Sequence, residues 1–188
     1  MTPRVKFVLL LLIFLVPTVA SFIAYYFFPP TKTDNYGALL SPVVTLPQVS
    51  LTAIDPKTRG AANGLRGKWL LLTRDSGTCA EACRKKLYAM RQARLILGRE
   101  QDRVQVVVLI DDDVPPSAEL QREYAATIWV MAASSPWLSS LPAPSGSARE
   151  SIYAVDTLGN VFMRYVAEPD IKRMSRDLLR VLKASQIG

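Results

Sequence analysis

Cys79 and Cys83 are the only two cysteines in the chain, written Cys-Ala-Glu-Ala-Cys shortly after the apolar run Trp69 to Leu72. Sulfur at this spacing supports two kinds of chemistry, thiol–disulfide exchange within the pair and capture of a soft metal ion by two thiolates. A thiol at the start of a helix has its thiolate stabilised by unpaired N–H groups and by the positive end of the helix dipole, and Arg74, Arg84 and Lys85 add positive charge nearby. A spacing of four along a helix puts both sulfurs on one side, with their backbones near the upper end of the separation a disulfide accepts, so a slightly strained bridge is expected. Cys83 falls on an apolar stripe with Leu87 and Met90 and is expected to be the buried, resolving partner, which leaves Cys79 as the exposed attacking sulfur. The same pair also admits a purely stabilising bridge in an oxidising compartment, although so short a loop removes little chain entropy.

Other chemistries are narrower. The sequence has no histidine, which excludes Ser/His/Asp and Cys/His catalytic sets, and it has no Gly-rich phosphate loop. Asp111-Asp112-Asp113 ends an apolar run and reads as a solvated turn rather than a site for hard cations. Trp69 and Trp129 lie in apolar runs and read as packing, whereas Trp137, after Ser134-Ser135-Pro136, is expected to be exposed in a loop from Ala133 to Ala148 and available to a partner.

The elements that must position the cysteines follow from hydrophobic patterning. Trp69 to Arg74 and Val104 to Ile110 are runs typical of buried strands, and between them residues 79–98 repeat apolar positions at helical steps. Residues 116–126 suggest a second helix and Thr127 to Met131 a third strand. Ile152 to Asp156 and Val161 to Val166 flank a Gly-containing turn as an antiparallel hairpin, and residues 169–185 form an amphipathic helix with Ile171, Met174, Leu178 and Leu182 in one stripe. Val49 to Asp55 and Lys57 to Gly60 suggest a further hairpin ahead of these elements. The order predicts an α/β fold of thioredoxin-like type, a mixed sheet flanked by helices.

From Phe7 to Phe28 no residue is charged, and this stretch of 22 residues is long enough to cross a hydrocarbon core of about 30 Å at about 1.5 Å per residue. Arg4 and Lys6 before it place the N-terminus in the cytoplasm and the rest of the chain on the outer, periplasmic side. Thr18-Val19-Ala20 resembles a signal-peptide cleavage region, but the apolar run continues well past it, so retention as an anchor is expected. The expected organisation is a cytoplasmic tail at 1–6, a transmembrane helix at 7–28, a Pro-containing stalk at 29–46 and a folded domain at 47–188. That domain carries 20 Lys and Arg against 15 Asp and Glu, a modest excess that argues against nucleic acid and is compatible with anionic lipid or an acidic partner.

Gly67-Lys68-Trp69-Leu-Leu-Leu, the Cys-x-x-x-Cys helix, and Ile152-Tyr-Ala-Val-Asp156-x-x-Gly159-x-Val-Phe together resemble the Sco/SenC family over about residues 47 to 185. The resemblance implies a membrane-anchored thioredoxin fold acting in cytochrome c oxidase assembly, with two cysteines and a distant histidine binding copper or with the cysteines acting on the thiols of the copper centre. Partners so implied are an oxidase subunit or a copper-delivery protein. This chain is a variant: the segment where the family places its histidine reads Ser145-Gly-Ser-Ala-Arg-Glu150, and Ala80 and Arg84 replace the prolines that commonly follow the cysteines. Two thiolates still suit copper(I), with Met131 as a conceivable helper, and exchange through Cys79 and Cys83 needs only what is present.

Overall fold

The computed structural model describes residues 2–28, 35–49, 51–55, 65–143 and 146–185. They belong to two separate units, Met1–Asp34 and Asn35–Gly188. In the first, α1 (Pro3–Phe27) extends the expected apolar segment by one turn at its start, with proline in the first turn, where backbone N–H groups have no helical partner anyway. Pro17 interrupts its backbone ladder, and nearby hydroxyls turn inward: Thr18 Oγ1 donates to the Phe14 carbonyl at 3.0 Å and Ser21 Oγ to the Pro17 carbonyl at 2.9 Å. No α1 side chain is buried by protein, as a lipid-facing helix or a signal sequence would require.

The second unit is a mixed sheet of six strands in the order β1-β6-β5-β2-β3-β4. Its strands are β1 (Ala38–Thr45), β2 (Trp69–Asp75), β3 (Val104–Ile110), β4 (Thr127–Met131), β5 (Ser151–Val155) and β6 (Asn160–Val166). β2, β3 and β4 run parallel and the other neighbours antiparallel. The helices are α2 (Glu81–Ile96), α3 (Ala118–Glu123), α4 (Pro136–Ser140) and α5 (Ile171–Ala184). This is the thioredoxin-like mixed sheet that the element order predicts.

Alternation along the strands splits the core between the two faces. Leu71, Val106, Ala154 and Met163 face α2 and α5, meeting Met90, Ala93, Met174 and Leu178. Leu70, Leu72, Val107, Val130 and Tyr153 face the other way, where Leu46, Leu51, Trp137 and Leu141 cover them.

Two expectations need correction. Residues 38–45, assigned to the stalk, form edge strand β1 against β6; Pro42 is tolerated because an edge strand can spare one donor, so proline there does not mark a linker. Trp137 is buried rather than exposed. Ser135 caps the short α4, accepting from the Trp137 N–H at 3.3 Å, and the indole Nε1 donates to the Pro47 carbonyl at 2.8 Å. The loop from Ala133 to Ala148 therefore supplies part of the core's cover, which a polar composition does not reveal. Of the N-terminal hairpin expected from Val49 to Gly60, Ala53 makes one antiparallel bridge to Val130, and the second limb, Lys57 to Gly60, lies outside the described residues.

The start of the domain is clamped to α5. Buried Asp177 accepts from the backbone N–H groups of Tyr36 and Gly37, both at 2.9 Å, and the Asp170 N–H donates to the Tyr36 hydroxyl at 2.8 Å. Gly37 is required by space, since a Cβ there would stand 2.6 Å from Met163 and Tyr165. Asp177→Ala leaves two N–H groups without their acceptor and is expected to cost about 1–3 kcal/mol. Chemical denaturation measures that loss, and faster amide exchange confined to β1 and β6 should accompany it.

Candidate functional site at the Cys79–Cys83 disulfide

β2 delivers the chain to the site at its C-terminal end. The segment Ser76–Cys79 then turns, with the Cys79 N–H donating to the Ser76 carbonyl at 3.0 Å, and Ala80 caps α2. Cys79 and Cys83 are joined as a disulfide with their Cα atoms 5.0 Å apart. Cys79 does not occupy the first helical turn as expected. It precedes the helix with φ of +43°, a left-handed conformation that costs a non-glycine residue roughly 1–2 kcal/mol. That backbone departure explains the separation, shorter than the roughly 6 Å of positions four apart within a helix.

Both sulfur-bearing residues are only 1% exposed, so Cys79 is not the exposed sulfur that the helical pattern suggested. The left-handed turn directs it inward, into a cluster of Leu87, Val108, Ile110, Leu120, Tyr124 and Trp129, against which Met131 and Ile54 also pack. In the same cluster the buried indole N–H of Trp129 has no hydrogen-bond partner.

A strap closes over the turn. Asp112 Oδ1 accepts from the Gly77 N–H at 3.1 Å and from the Val114 N–H at 3.2 Å, tying the segment after β3 to the segment after β2. The approach is so close that a Cβ on Gly77 would fall 1.6 Å from the Val114 carbonyl oxygen. Hydrogen bonds from the Ser76 side chain and the Gly77 backbone hold the Asp112 carboxyl below its ordinary range. Asp111 is not solvated either. Arg74 Nε at 3.0 Å and Arg149 Nε at 2.8 Å bracket it. Burial pushes the Asp111 carboxyl up, but the hydrogen bonds from Arg149 and Arg74 outweigh it and leave the group below the carboxylate range. The turn read from the triple aspartate is thus two structural latches, with only Asp113 exposed.

Lys86 escaped the sequence reading. It is 1% exposed, with Nζ 2.7 Å from Asp75 Oδ2, donating also to Thr73 Oγ1 and the Arg74 carbonyl, each at 3.0 Å, and to the Arg149 carbonyl. Burial pulls its pKa down, and Asp75 opposes that pull. The signal was present: Lys86 lies between Cys83, Leu87 and Met90 on the face that α2 buries. Only a cation with built partners survives there.

A family model for a transmembrane-like, thioredoxin-like, C-terminal domain matches residues 69–185. The chain belongs to that family. The matched region runs from β2 through α5 and so contains the disulfide, Lys86 and both aspartate latches. No curated protein matches the chain. Among solved structures, apo Sco1 from Thermus thermophilus is similar at 16% identity and a TM-score of 0.53, over 82% of this chain and 98% of that one. A SCO1/SenC family lipoprotein from Bacillus anthracis is similar at 17% and 0.54, over 77% and 98%. Copper-bound ScoI from Arabidopsis thaliana is similar at 15% and 0.52, over 64% and 87%. At these identities the likeness concerns the fold.

The donor set does not fit the three-ligand copper site that the Sco/SenC resemblance implies. Histidine is absent from the sequence, and in the segment before β5 the residue that reaches the strand ends is Arg149, whose guanidinium is held by Asp111 and cannot ligate a metal. Among the described residues no group of three or more His, Cys, Asp or Glu is placed to hold an ion.

Removing the strap's latch should expose the disulfide. Asp112→Ala gives up both hydrogen bonds of the latch, so local opening, and with it the rate of reduction by dithiothreitol, is expected to rise severalfold. Gly77→Ala should act the same way, and unchanged rates in both variants would show that the strap is not the barrier. Because the native Asp111 carboxyl lies below its unfolded value of about 3.9, its contribution is complete above that value and is lost as pH falls through the native one. Urea denaturation from pH 7 down to pH 2 should show this loss, and Asp111→Asn should be weaker at pH 7 with a flatter acid limb.

Proposed function

We propose that Cys79 and Cys83 form a working redox couple in a membrane-anchored, Sco-like thioredoxin domain that serves assembly of the copper centre of a respiratory oxidase by keeping its cysteines reduced. The observation that carries the reading is the disulfide itself, at the C-terminal end of β2 where the chain turns into α2. In the reduced protein the Cys79 thiolate attacks one sulfur of a partner disulfide, forming a mixed disulfide and releasing one partner thiolate. The Cys83 thiolate, its proton passed to solvent, then attacks Cys79 Sγ, releases the second partner thiolate and leaves the bridge. Two electrons pass to the partner, and an external dithiol returns them. Retention of the apolar helix as an anchor, with Arg4 and Lys6 in the cytoplasm and the domain outside, is part of the same reading.

A second reading, a permanent structural bridge, is favoured by the burial of both sulfurs. A copper(I) carrier would have to rely on the two thiolates, with Met131 packed against the same apolar cluster. The reduction potential of the full-length protein in detergent separates the first two. A value above about −300 mV, with Cys79→Ser inactive toward a disulfide substrate and Cys83→Ser accumulating a mixed disulfide with it, is expected for a working couple. A lower value with no turnover would mark a structural bridge, and stoichiometric copper(I) on the reduced protein without turnover would mark a carrier.

A further inference from the structure

The domain's excess positive charge has an address. Of the 20 Lys and Arg at 47–188, five lie on α5 as Lys172, Arg173, Arg176, Arg180 and Lys183, and elsewhere in that span bases and acids nearly balance. All five are exposed. At 3.6 residues per turn they fall within an arc of about 100°. The opposite arc, with Met174, Ser175, Leu178 and Leu182, is buried against the sheet and α2. The one carboxylate in the helix, Asp177, is buried and occupied by the Tyr36 and Gly37 N–H groups, so it does not neutralise the cationic face.

That face stands where the chain enters the domain. Tyr36 is gripped by α5 through Asp177 and Asp170, and the Arg173 guanidinium lies over its ring at 4.5 Å. Six residues separate Phe28 from Asn35, a covalent reach of about 25 Å at full extension. A retained apolar helix would thus hold the domain on a tether short enough for the cationic face of α5 to come within a Debye length of the lipid surface, where Lys and Arg are attracted to anionic headgroups.

We propose that the exposed face of α5 docks on anionic phospholipid headgroups of the membrane to which α1 attaches the chain. The proposal rests on the anchor reading and goes beyond it, since a tether alone leaves the domain free to tumble. Lipid rather than an acidic protein is the occupant because the short tether keeps the bilayer within reach of the domain whatever partner is present.

The test uses the full chain in nanodiscs of phosphatidylcholine, with or without about one-third phosphatidylglycerol, and follows acetylation of single lysines by mass spectrometry. Lys172 and Lys183 are expected to react at least threefold more slowly in the anionic discs, whereas Lys85, exposed on α2, keeps its rate in both. Added salt at 0.5 M and the variant Arg176→Glu should each remove the protection. Chain that co-elutes with the discs but shows equal rates overturns docking and leaves the anchor standing. Chain that elutes apart from the discs overturns the anchor and docking together. Protection that appears only after a second protein is added would assign the face to that protein and overturn the lipid proposal.

Discussion

The ammonium of Lys86 fixes the geometry on which the site depends. It joins three pieces of chain at one atom: α2, the last residues of β2, and the segment before β5. Asp75 is shared with the turn, because its Oδ1 accepts from the Ser76 N–H at 2.9 Å while Oδ2 holds Lys86. The helix that carries Cys83 is thereby tied to the strand that delivers Cys79. A buried ion pair is a weak source of net stability, since desolvation cancels much of the attraction, but removing one member leaves a charge stranded. Its value here lies in direction. Apolar contacts between α2 and the sheet tolerate sliding, whereas four oxygens around one nitrogen do not.

Outward from that nitrogen the strand ends are closed by two carboxylates doing different work. Asp111 gathers Arg74 and Arg149, drawing the segment before β5 toward β2 and β3. Asp112 ties down the strap over Gly77. With Arg149 engaged in this way, the segment is a structural brace, and a metal ligand there would have to displace an ion pair. Both sulfurs are buried in the apolar cluster of Leu87, Leu120 and Trp129, so any exchange chemistry is gated by local opening rather than by a preformed accessible thiol. A gated couple is slow toward small thiols and selective for a partner able to move the strap.

Much of this was legible from residues that solve a local problem. β3 and β4 are β-branched runs with turn signals at their ends, and the β5–β6 hairpin carries its own Gly-containing turn. α5 shows its apolar stripe at helical spacing, so its buried and exposed faces were written in sequence. What escaped was set by distant neighbours. Pro42 reads as a linker until β6 is present to make β1 an edge strand, and Trp137 reads as loop until the uncovered sheet face is known. Cys79 turns inward on its own left-handed backbone, and the neighbouring Gly77 packs against Val114, residues 37 positions apart with no shared pattern. Lys86 is the exception, a charge on an apolar stripe, which is itself the mark of a buried partner.

α5 is the element where folding and function meet most economically. Its inner face closes the core, its buried Asp177 receives the incoming chain, and its outer face gathers five cations. These roles constrain one another. A carboxylate on the outer arc would relieve repulsion among the cations and stabilise the helix by pairing along it, so its absence runs against local stability. Such a departure from the locally favourable choice is what a surface shaped for an external anion would show. The one carboxylate in α5, Asp177, sits where it serves the fold, and the outer arc of the helix itself carries none.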